Sequence, residues 1–155
     1  MKISDILEPS MILPGVNSKE KIEALREVAA HLAKREDLSG TSATVIFDSI
    51  LQREHLGSTG VGDGVAIPHA KLPRLSEVIG ALGISRKGIP YDSIDKEPVR
   101  LIFMLLVPEN SGGIHLKALA RVARLLKDEE FRNKLLTLDD AANIYSAFVE
   151  QDSKI

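Results

Sequence analysis

A nearly unbroken apolar run, Val99 to Val107, is the feature that most constrains the fold, because Arg100 is its only polar residue. The run is far shorter than the roughly 20 apolar residues of a membrane span. Its length is that of a β-strand. A strand that is apolar on both faces has to be covered on both faces, as in sheets flanked by helices. The run therefore predicts a central strand, ended by Pro108, in an α/β sandwich.

Helical and strand patterns interleave along the rest of the chain. Helical spacing of apolar residues predicts five helices, over 19–35, about 41–56, about 114–127, around 131–135, and from Thr137 onward. The first is predicted to be capped by Asn17-Ser18, and the last has Asp140 in a capping-box position. A strand is predicted over 77–86, turning at Lys87-Gly88, with 89–91 as a candidate returning edge. With no repeat and no linker-like segment, we expect one domain over residues 1–155.

Composition excludes several function classes. The chain has 155 residues, 20 Lys+Arg, 22 Asp+Glu and no Cys. The absence of Cys excludes a disulfide scaffold, a thiolate metal site and a thiol nucleophile. A net charge of −2 argues against nucleic acid as a partner. With no signal-peptide layout and no membrane-length apolar run, we expect a cytoplasmic chain that is not embedded in a membrane.

Three side chains are the candidates for chemistry, and each has a structural alternative. His69 follows Pro68 and a short apolar run directly after a glycine-rich segment, so it either reacts at the end of a strand or only forms a hydrogen bond in a tight turn. His115 lies in the first turn of a helix, whose free N–H groups attract anions, or it is a buried core histidine. Arg53, in the last turn of a helix, is a phosphate donor or a surface arginine.

The other two histidines have simpler interpretations. His31 lies opposite the apolar face of its helix, so we expect it in solvent. His55 is expected to interact with the dipole at a helix C-terminus.

The glycine-rich segment 57–64 contains four glycines in eight residues, so irregular backbone is predicted. It follows a helix and lacks a Lys-Ser/Thr ending, so it is neither a dinucleotide fingerprint nor a nucleotide P-loop. Its backbone N–H groups can approach an anion, or it is a flexible connector. A zinc site has little support, because the two candidate histidines are 46 positions apart and there is no HExxH motif. A serine hydrolase has little support, because there is no GxSxG elbow. We expect neither a metal nor a cofactor.

Residues 53–69 (REHLGSTGVGDGVAIPH) resemble the active-site signature of the fructose/mannitol/nitrogen-type IIA proteins of the bacterial phosphoenolpyruvate phosphotransferase system. Residues 91–99 (YDSIDKEPV), 105–108 (LLVP), and the pairs at 115–116 and 119–120 also look like that family, so the resemblance spans nearly the whole chain. Ala70 stands where the family commonly has glycine. A free-standing chain of this size with these segments looks more like the nitrogen-regulatory branch.

The resemblance implies a mixed sheet flanked by helices. It also implies that His69 accepts a phosphoryl group on Nε2 from a phosphohistidine carrier protein of the HPr kind, with Arg53 and His115 around it as catalytic residues. We assign phosphate binding to the N–H groups of Ser58, Thr59 and Gly60. The expected onward partners are regulatory target proteins or, alternatively, a sugar permease domain. A histidine-dependent hydrolase and a binding module with structural histidines are the more distant alternatives.

Overall fold

The fold is built from helices and strands that alternate along the chain, seen in a computed structural model that describes residues 1–38 and 40–155. In this part of the chain the strands are β1 (Ile12–Leu13), β2 (Gly60–Gly62), β3 (Val65–Ala66), β4 (His69–Leu72), β5 (Ile79–Ile89) and β6 (Val99–Pro108). The α-helices are α1 (Lys21–Leu32), α2 (Ala43–His55), α3 (Ile114–Lys127), α4 (Glu129–Thr137) and α5 (Ala141–Asp152). Short 3₁₀ turns precede β1 and α2.

The six strands form one mixed sheet in the order β1-β5-β6-β3-β2, with β4 also paired to β6. β5 runs antiparallel to β6, whereas β3 and β4 both run parallel to β6. The mixed sheet that the family resemblance implied is thereby confirmed.

Helices cover both faces of the sheet. Successive strand residues point to opposite faces. In β5, Gly83 faces Val28 of α1, while Gly80 faces the ring of Phe103, which stacks edge-on against Phe148 of α5. Helices α1 and α2 therefore lie on one face, and α3 to α5 on the other. The predicted α/β sandwich is confirmed, and every residue from Leu101 to Val107 is buried, as a central strand requires.

Three predicted elements had wrong boundaries, and the first of them, α1, also ends at Leu32 rather than at residue 35. Helix α1 begins at Lys21 rather than at residue 19, because the N–H groups of Asn17 and Ser18 donate to the carboxylate of Glu27 instead of belonging to a helical cap. Helix α5 begins at Ala141, where Asp140 accepts a hydrogen bond from the Asn143 N–H.

The third wrong boundary is the turn predicted at Lys87-Gly88. Strand β5 continues through these residues to Ile89, and the register against β6 shifts between Ile84 and Ile89. Gly88 has φ +83° in this irregular stretch, so the glycine serves a bulge rather than a reversal. Ile89 therefore belongs to β5 itself and residues 90–91 lie in no strand, so the returning edge predicted at 89–91 was wrong.

One feature of the sheet positions the site. The chain from Val65 to Leu72 runs beside β6 in two pieces, β3 and β4, interrupted at Ile67-Pro68. His69 is the first residue after the interruption and pairs with Leu105, in the C-terminal half of β6. His69 thus begins a strand, whereas the sequence suggested that it ends one. Among the described residues, no helix has the length and apolar character needed to cross a membrane.

Candidate active site

An open groove of about 700 Å³ brings together the three side chains that the sequence singled out. Arg53, His69 and His115 all line it, although they come from α2, β4 and α3. The remaining lining residues are Ser49, Gln52, His55, Leu56, Ala70 and Lys71.

The topology explains why these residues meet. Helix α2 packs against β4, so the last turn of α2, with Arg53, lies over the start of β4. Strand β6 ends at Pro108, level with Leu72 of β4, and a short loop over 109–113 leads into α3. His115, in the first turn of α3, therefore lies at the same edge of the sheet as His69.

The His69 ring is oriented by a local hydrogen bond. Its Nδ1–H donates to the carbonyl oxygen of Ile67, at 2.8 Å. Because Pro68 fixes the backbone between these two residues, the ring has little freedom to rotate. This bond assigns the proton of the neutral imidazole to Nδ1 and leaves the lone pair of Nε2 available. His69 is half-buried and lines the groove.

The surroundings favour the neutral form of this ring. Burial lowers the pKa of His69 below its usual value of 6.5, and electrostatic interaction with Arg53 and His115 lowers the pKa further. The hydrogen bond to Ile67 and the negative charge of Glu54 oppose this shift. At neutral pH, His69 is therefore an uncharged ring with a nucleophilic nitrogen.

Arg53 and His115 are each held by a backbone carbonyl. The Arg53 guanidinium donates through Nη1 to Gly57 O at 2.8 Å, which holds the side chain at the end of α2. The His115 ring donates from Nδ1 to Gly112 O at 3.1 Å, in the loop before α3. Each group keeps further N–H or N positions for a ligand in the groove.

None of the three residues proposed as phosphate ligands is among the residues that line the groove. The Thr59 N–H donates to Glu54 at 2.9 Å, and its hydroxyl, which is buried, donates to the same carboxylate. The Gly60 N–H donates to Ser58 Oγ at 3.1 Å, and Ser58 Oγ donates to Tyr91 O. The structure uses the N–H groups of Thr59 and Gly60 to hold the glycine-rich segment, so they do not point to an anion on His69.

Glu54 lies directly behind the groove and was not predicted to have a role there. Its carboxylate is buried, with 3% of the side chain exposed, and forms an ion pair with Lys21 at 2.8 Å in addition to its bonds from Thr59. The Lys21 ammonium lies 4.6 Å from the centre of the Tyr91 ring, and the Tyr91 hydroxyl contacts Thr59 Oγ1. This network joins α1, α2 and the glycine-rich segment directly behind Arg53. A glutamate in the last turn of a helix gives no sequence signal of such burial.

The remaining histidines differ from their expected roles. His31 was expected in solvent, but it is half-buried, and Nε2 donates to Ser10 O at 2.7 Å. This bond connects α1 to the segment before β1, which a helical-face argument does not detect. His55, expected only to interact with the dipole at the end of α2, is exposed there and also lines the groove.

Comparison with known proteins agrees with this geometry. The family described as "Phosphoenolpyruvate-dependent sugar phosphotransferase system, EIIA 2" matches residues 5–151. A nitrogen regulatory protein of Bradyrhizobium diazoefficiens is 47% identical over 94% of this chain and 94% of its own. The fructose-specific EIIABC component of Bacillus subtilis is 36% identical over 98% of this chain, which spans 24% of that protein.

Solved structures give the same result for the fold. The nitrogen regulatory protein IIA-Ntr of Neisseria meningitidis superposes with a TM-score of 0.86 at 35% identity, covering 94% of this chain and 98% of that one. The IIA mannitol structure of Escherichia coli superposes with a TM-score of 0.75 at 19% identity, covering 92% of this chain and 98% of that one, and bears on the fold alone. The match over residues 5–151, with the relatives' identity over nearly the full chain, shows that this chain belongs to the EIIA type 2 family of the phosphoenolpyruvate-dependent sugar phosphotransferase system.

Proposed function

We propose that this chain is a cytoplasmic phosphorelay protein in which His69 carries a phosphoryl group between a phosphohistidine carrier and a downstream protein. The observation that carries the proposal is the free Nε2 of His69, in a groove shared with Arg53 and His115. Membership in the phosphotransferase family supports the same chemistry.

The transfer follows from the atoms in the groove. The Nε2 lone pair attacks phosphorus, the P–N bond of the donor breaks, and its electron pair returns to the donor ring. The His69 ring gains positive character as the new bond forms, and the Ile67 carbonyl, which accepts from Nδ1–H, stabilises it. Phosphoryl transfer needs positioning and charge stabilisation more than covalent assistance. The Arg53 guanidinium supplies these to the equatorial oxygens during acceptance, and the His115 ring orients the bound phosphoryl group for onward transfer.

The docking surface for the carrier is the rim of the groove. Leu56 is 85% exposed and Leu116 is 61% exposed, and both lie beside the candidate histidines. Such apolar side chains around a polar centre suit an interface that forms and separates repeatedly. We expect a small interface, below about 1,200 Å².

We assign the chain to regulatory use, in which the phosphorylation state of His69 sets its binding to target proteins. The relative that is 47% identical is named a nitrogen regulatory protein, and that chain and this one match over 94% of each. The second candidate is a sugar-specific IIA that passes the group to a permease component, favoured by the fructose-specific relative at 36% identity.

The test is mass spectrometry after incubation with phosphoenolpyruvate and the upstream carrier proteins. The parent chain should gain one phosphoryl group, and His69→Ala should gain none. His55→Ala, which changes another histidine in the same groove, should be modified normally. Modification of the His69→Ala variant at the parent level would contradict the assignment.

Two further variants separate the supporting roles. Arg53→Ala should slow acceptance by about 10²-fold, the scale for loss of one charge-stabilising donor. His115→Ala should accept the group but impair onward transfer.

Phosphate passed on to sugar with a reconstituted permease would support the sugar-specific candidate, and sustained phosphate release from simple phosphoesters would support a hydrolase. If the parent chain gains no phosphoryl group at all, the result would support a binding module with structural histidines.

A further inference from the structure

We propose that the exposed face of α3 binds an acidic segment of a partner protein, and that a phosphoryl group on His69 weakens this binding. The second half of the proposal rests on the function proposed above. The face is defined by two neighbouring stripes, one basic (Lys117, Arg121 and Arg124) and one of small or apolar residues (Leu116, Ala120 and Ala123).

The charge of α3 is unlike that of the chain. The helix has 14 residues, four of them Lys or Arg and none Asp or Glu, whereas the whole chain has a net charge of −2. Residues three and four apart are neighbours on a helix surface, so Lys117, Arg121 and Arg124 lie in one row. They line a shallow cavity of about 310 Å³ together with Met1 and Ala120.

Most of this positive charge is not neutralised within the protein. Arg121 is paired, since its Nε donates to Asp152 at 2.6 Å. Lys117 and Arg124 are exposed and form no ion pair in the part of the chain that the structure describes. Lys127 is excluded from the face because it shares a cavity with Asp63 and is followed directly by acidic residues.

The second stripe determines what kind of acidic partner fits. Leu116 is 61% exposed, and one and two turns further along the helix only the small side chains of Ala120 and Ala123 follow it. Small residues allow a partner backbone to approach the helix closely. A segment with carboxylates opposite the basic stripe and at least one apolar side chain on Leu116 matches both stripes.

Other polyanions match less well. A nucleic acid needs an extended basic surface, but Asp128, Glu129 and Glu130 follow α3 immediately and would repel a phosphate backbone. An anionic membrane has the same requirement, and two uncompensated cations supply little attraction to it. The short basic row is the right size for a few carboxylates of a protein segment.

The position of α3 couples this face to His69. His115 is in the first turn of α3 and lines the same groove as His69. At a rise of 1.5 Å and a rotation of about 100° per residue, Lys117 lies about 3 Å along the helix axis from His115 but on the opposite side of a helix about 10 Å wide, and Arg124 lies about 14 Å along the axis. A phosphoryl group adds about −1.5 to −2 charges. With a screening length of about 8 Å in physiological salt, this charge acts mainly on the Lys117 end of the face. Carboxylates bound there would be repelled.

The test is an NMR titration of the ¹⁵N-labelled, unphosphorylated chain with a synthetic 14-residue peptide of Glu with Leu at every fourth position. We expect amide shifts to concentrate in residues 116–124, and affinity to fall as salt rises from 50 to 200 mM. The variant Lys117→Glu/Arg124→Glu should bind at least fivefold more weakly. The control Lys19→Glu/Lys87→Glu makes the same charge change at exposed lysines elsewhere and should bind like the parent. Circular dichroism verifies that both variants fold.

Several results would overturn the proposal. The first two are amide shifts that spread outside α3, and an equal loss of peptide affinity in the two double variants. The others are equal affinity for a peptide with Lys in place of Glu, and tighter binding of duplex DNA or of phosphatidylglycerol vesicles than of the acidic peptide. For the coupling, we expect the phosphorylated chain to bind the peptide roughly three- to tenfold more weakly, and unchanged binding would overturn that half. If His69 accepts no phosphoryl group, the proposed function fails, while the titration of the unmodified chain still decides whether α3 binds acidic segments.

Discussion

At the scale of single residues, the reactivity proposed for His69 depends on which of its ring nitrogens carries the proton. The Ile67 carbonyl fixes that proton on Nδ1, and Pro68 keeps the carbonyl and the ring in place. A ring of the opposite tautomer would present N–H, which has no lone pair for attack, to the groove. The tripeptide Ile67-Pro68-His69 therefore sets both the orientation of the His69 ring and the nitrogen that carries its proton.

We predict that the His69 ring is the neutral Nδ1–H tautomer at pH 7 and that it titrates below pH 6.5. Burial and electrostatic interaction with Arg53 and His115 lower its pKa, so protonation requires more acid than for a free histidine. Long-range ¹H–¹⁵N correlation spectra recorded from pH 7.5 to 5 give both the tautomer and the midpoint. An Nε2–H signal at pH 7, or a midpoint above 6.5, would contradict the prediction.

The same shift gives a sign for the pH dependence of stability. Between the lowered pKa of His69 in the folded chain and about 6.5 in the unfolded chain, the unfolded state binds more protons. The contribution of His69 to the free energy of unfolding is therefore full above pH 6.5 and falls as the pH drops through this window. Urea denaturation at pH 7.5 and 5.5 should show a smaller loss for His69→Gln than for the parent. An equal loss in the two proteins would contradict this.

The three side chains that line the groove could be predicted from the sequence, but the groups behind them could not. Arg53, His69 and His115 could be found because each ends or begins an element next to an unusual loop, and α/β topology collects such positions at one edge. Glu54 could not be found, since its burial depends on Lys21 and Thr59, which reach it from different parts of the chain. For the same reason, free N–H groups in the glycine-rich segment could not be distinguished from occupied ones.

At the scale of elements, the glycine-rich segment is ordered by a second loop that lies over it. The Ile94 N–H donates to Gly60 O, and the Asp63 N–H donates to Asp95 at 2.9 Å. Asp63 itself adopts φ +57°, which aspartate tolerates better than most residues. The segment 57–64, for which irregular backbone was predicted, thus contains strand β2, and it is held by hydrogen bonds to the 91–97 loop.

Gly60→Ala should destabilise the protein by about 1–3 kcal/mol, the usual cost of overpacking. A methyl group at this position would lie 2.4 Å from Ser93 Oγ and 2.9 Å from the Ser93 Cα, so the backbone of the second loop would have to move. Gly15→Ala is the matched control because no atom lies within 4 Å of its added methyl group. Urea denaturation measures both. Equal stability of the two variants would mean that the loops can separate at no cost.

At the scale of the whole molecule, the fold follows from one buried strand and the helices that cover it. The apolar run at 99–107 predicted the central position of β6, and the amphipathic helices supplied the two covering layers. The strand order was beyond such reasoning, because pairing partners distant in sequence leave no local pattern. The break between β3 and β4, which turns His69 toward the groove, depends on β6 and was missed for this reason.

A buried carboxylate joins the two ends of the chain. Asp152, at the end of α5, accepts a hydrogen bond from the Ile3 N–H at 2.9 Å and another from Arg121 of α3 at 2.6 Å. Its side chain is 7% exposed. The first turn of the chain, α3 and α5 therefore share one acceptor, and removing it leaves two donors without a partner.

Asp152→Ala should lower the free energy of unfolding by about 2–4 kcal/mol, because breaking a largely buried ion pair leaves its partner uncompensated. The midpoint of urea denaturation should fall with an unchanged slope, as expected when one cooperative unit loses stability. Glu150→Ala is the control, since that carboxylate is exposed and its contacts to Lys134 and Lys154 are 3.8 Å or longer, so its loss should cost under about 1 kcal/mol. Asp152→Asn keeps the shape and one acceptor oxygen and should fall between them. If Asp152→Ala costs no more than Glu150→Ala, the ends of the chain are held by packing of the apolar core alone.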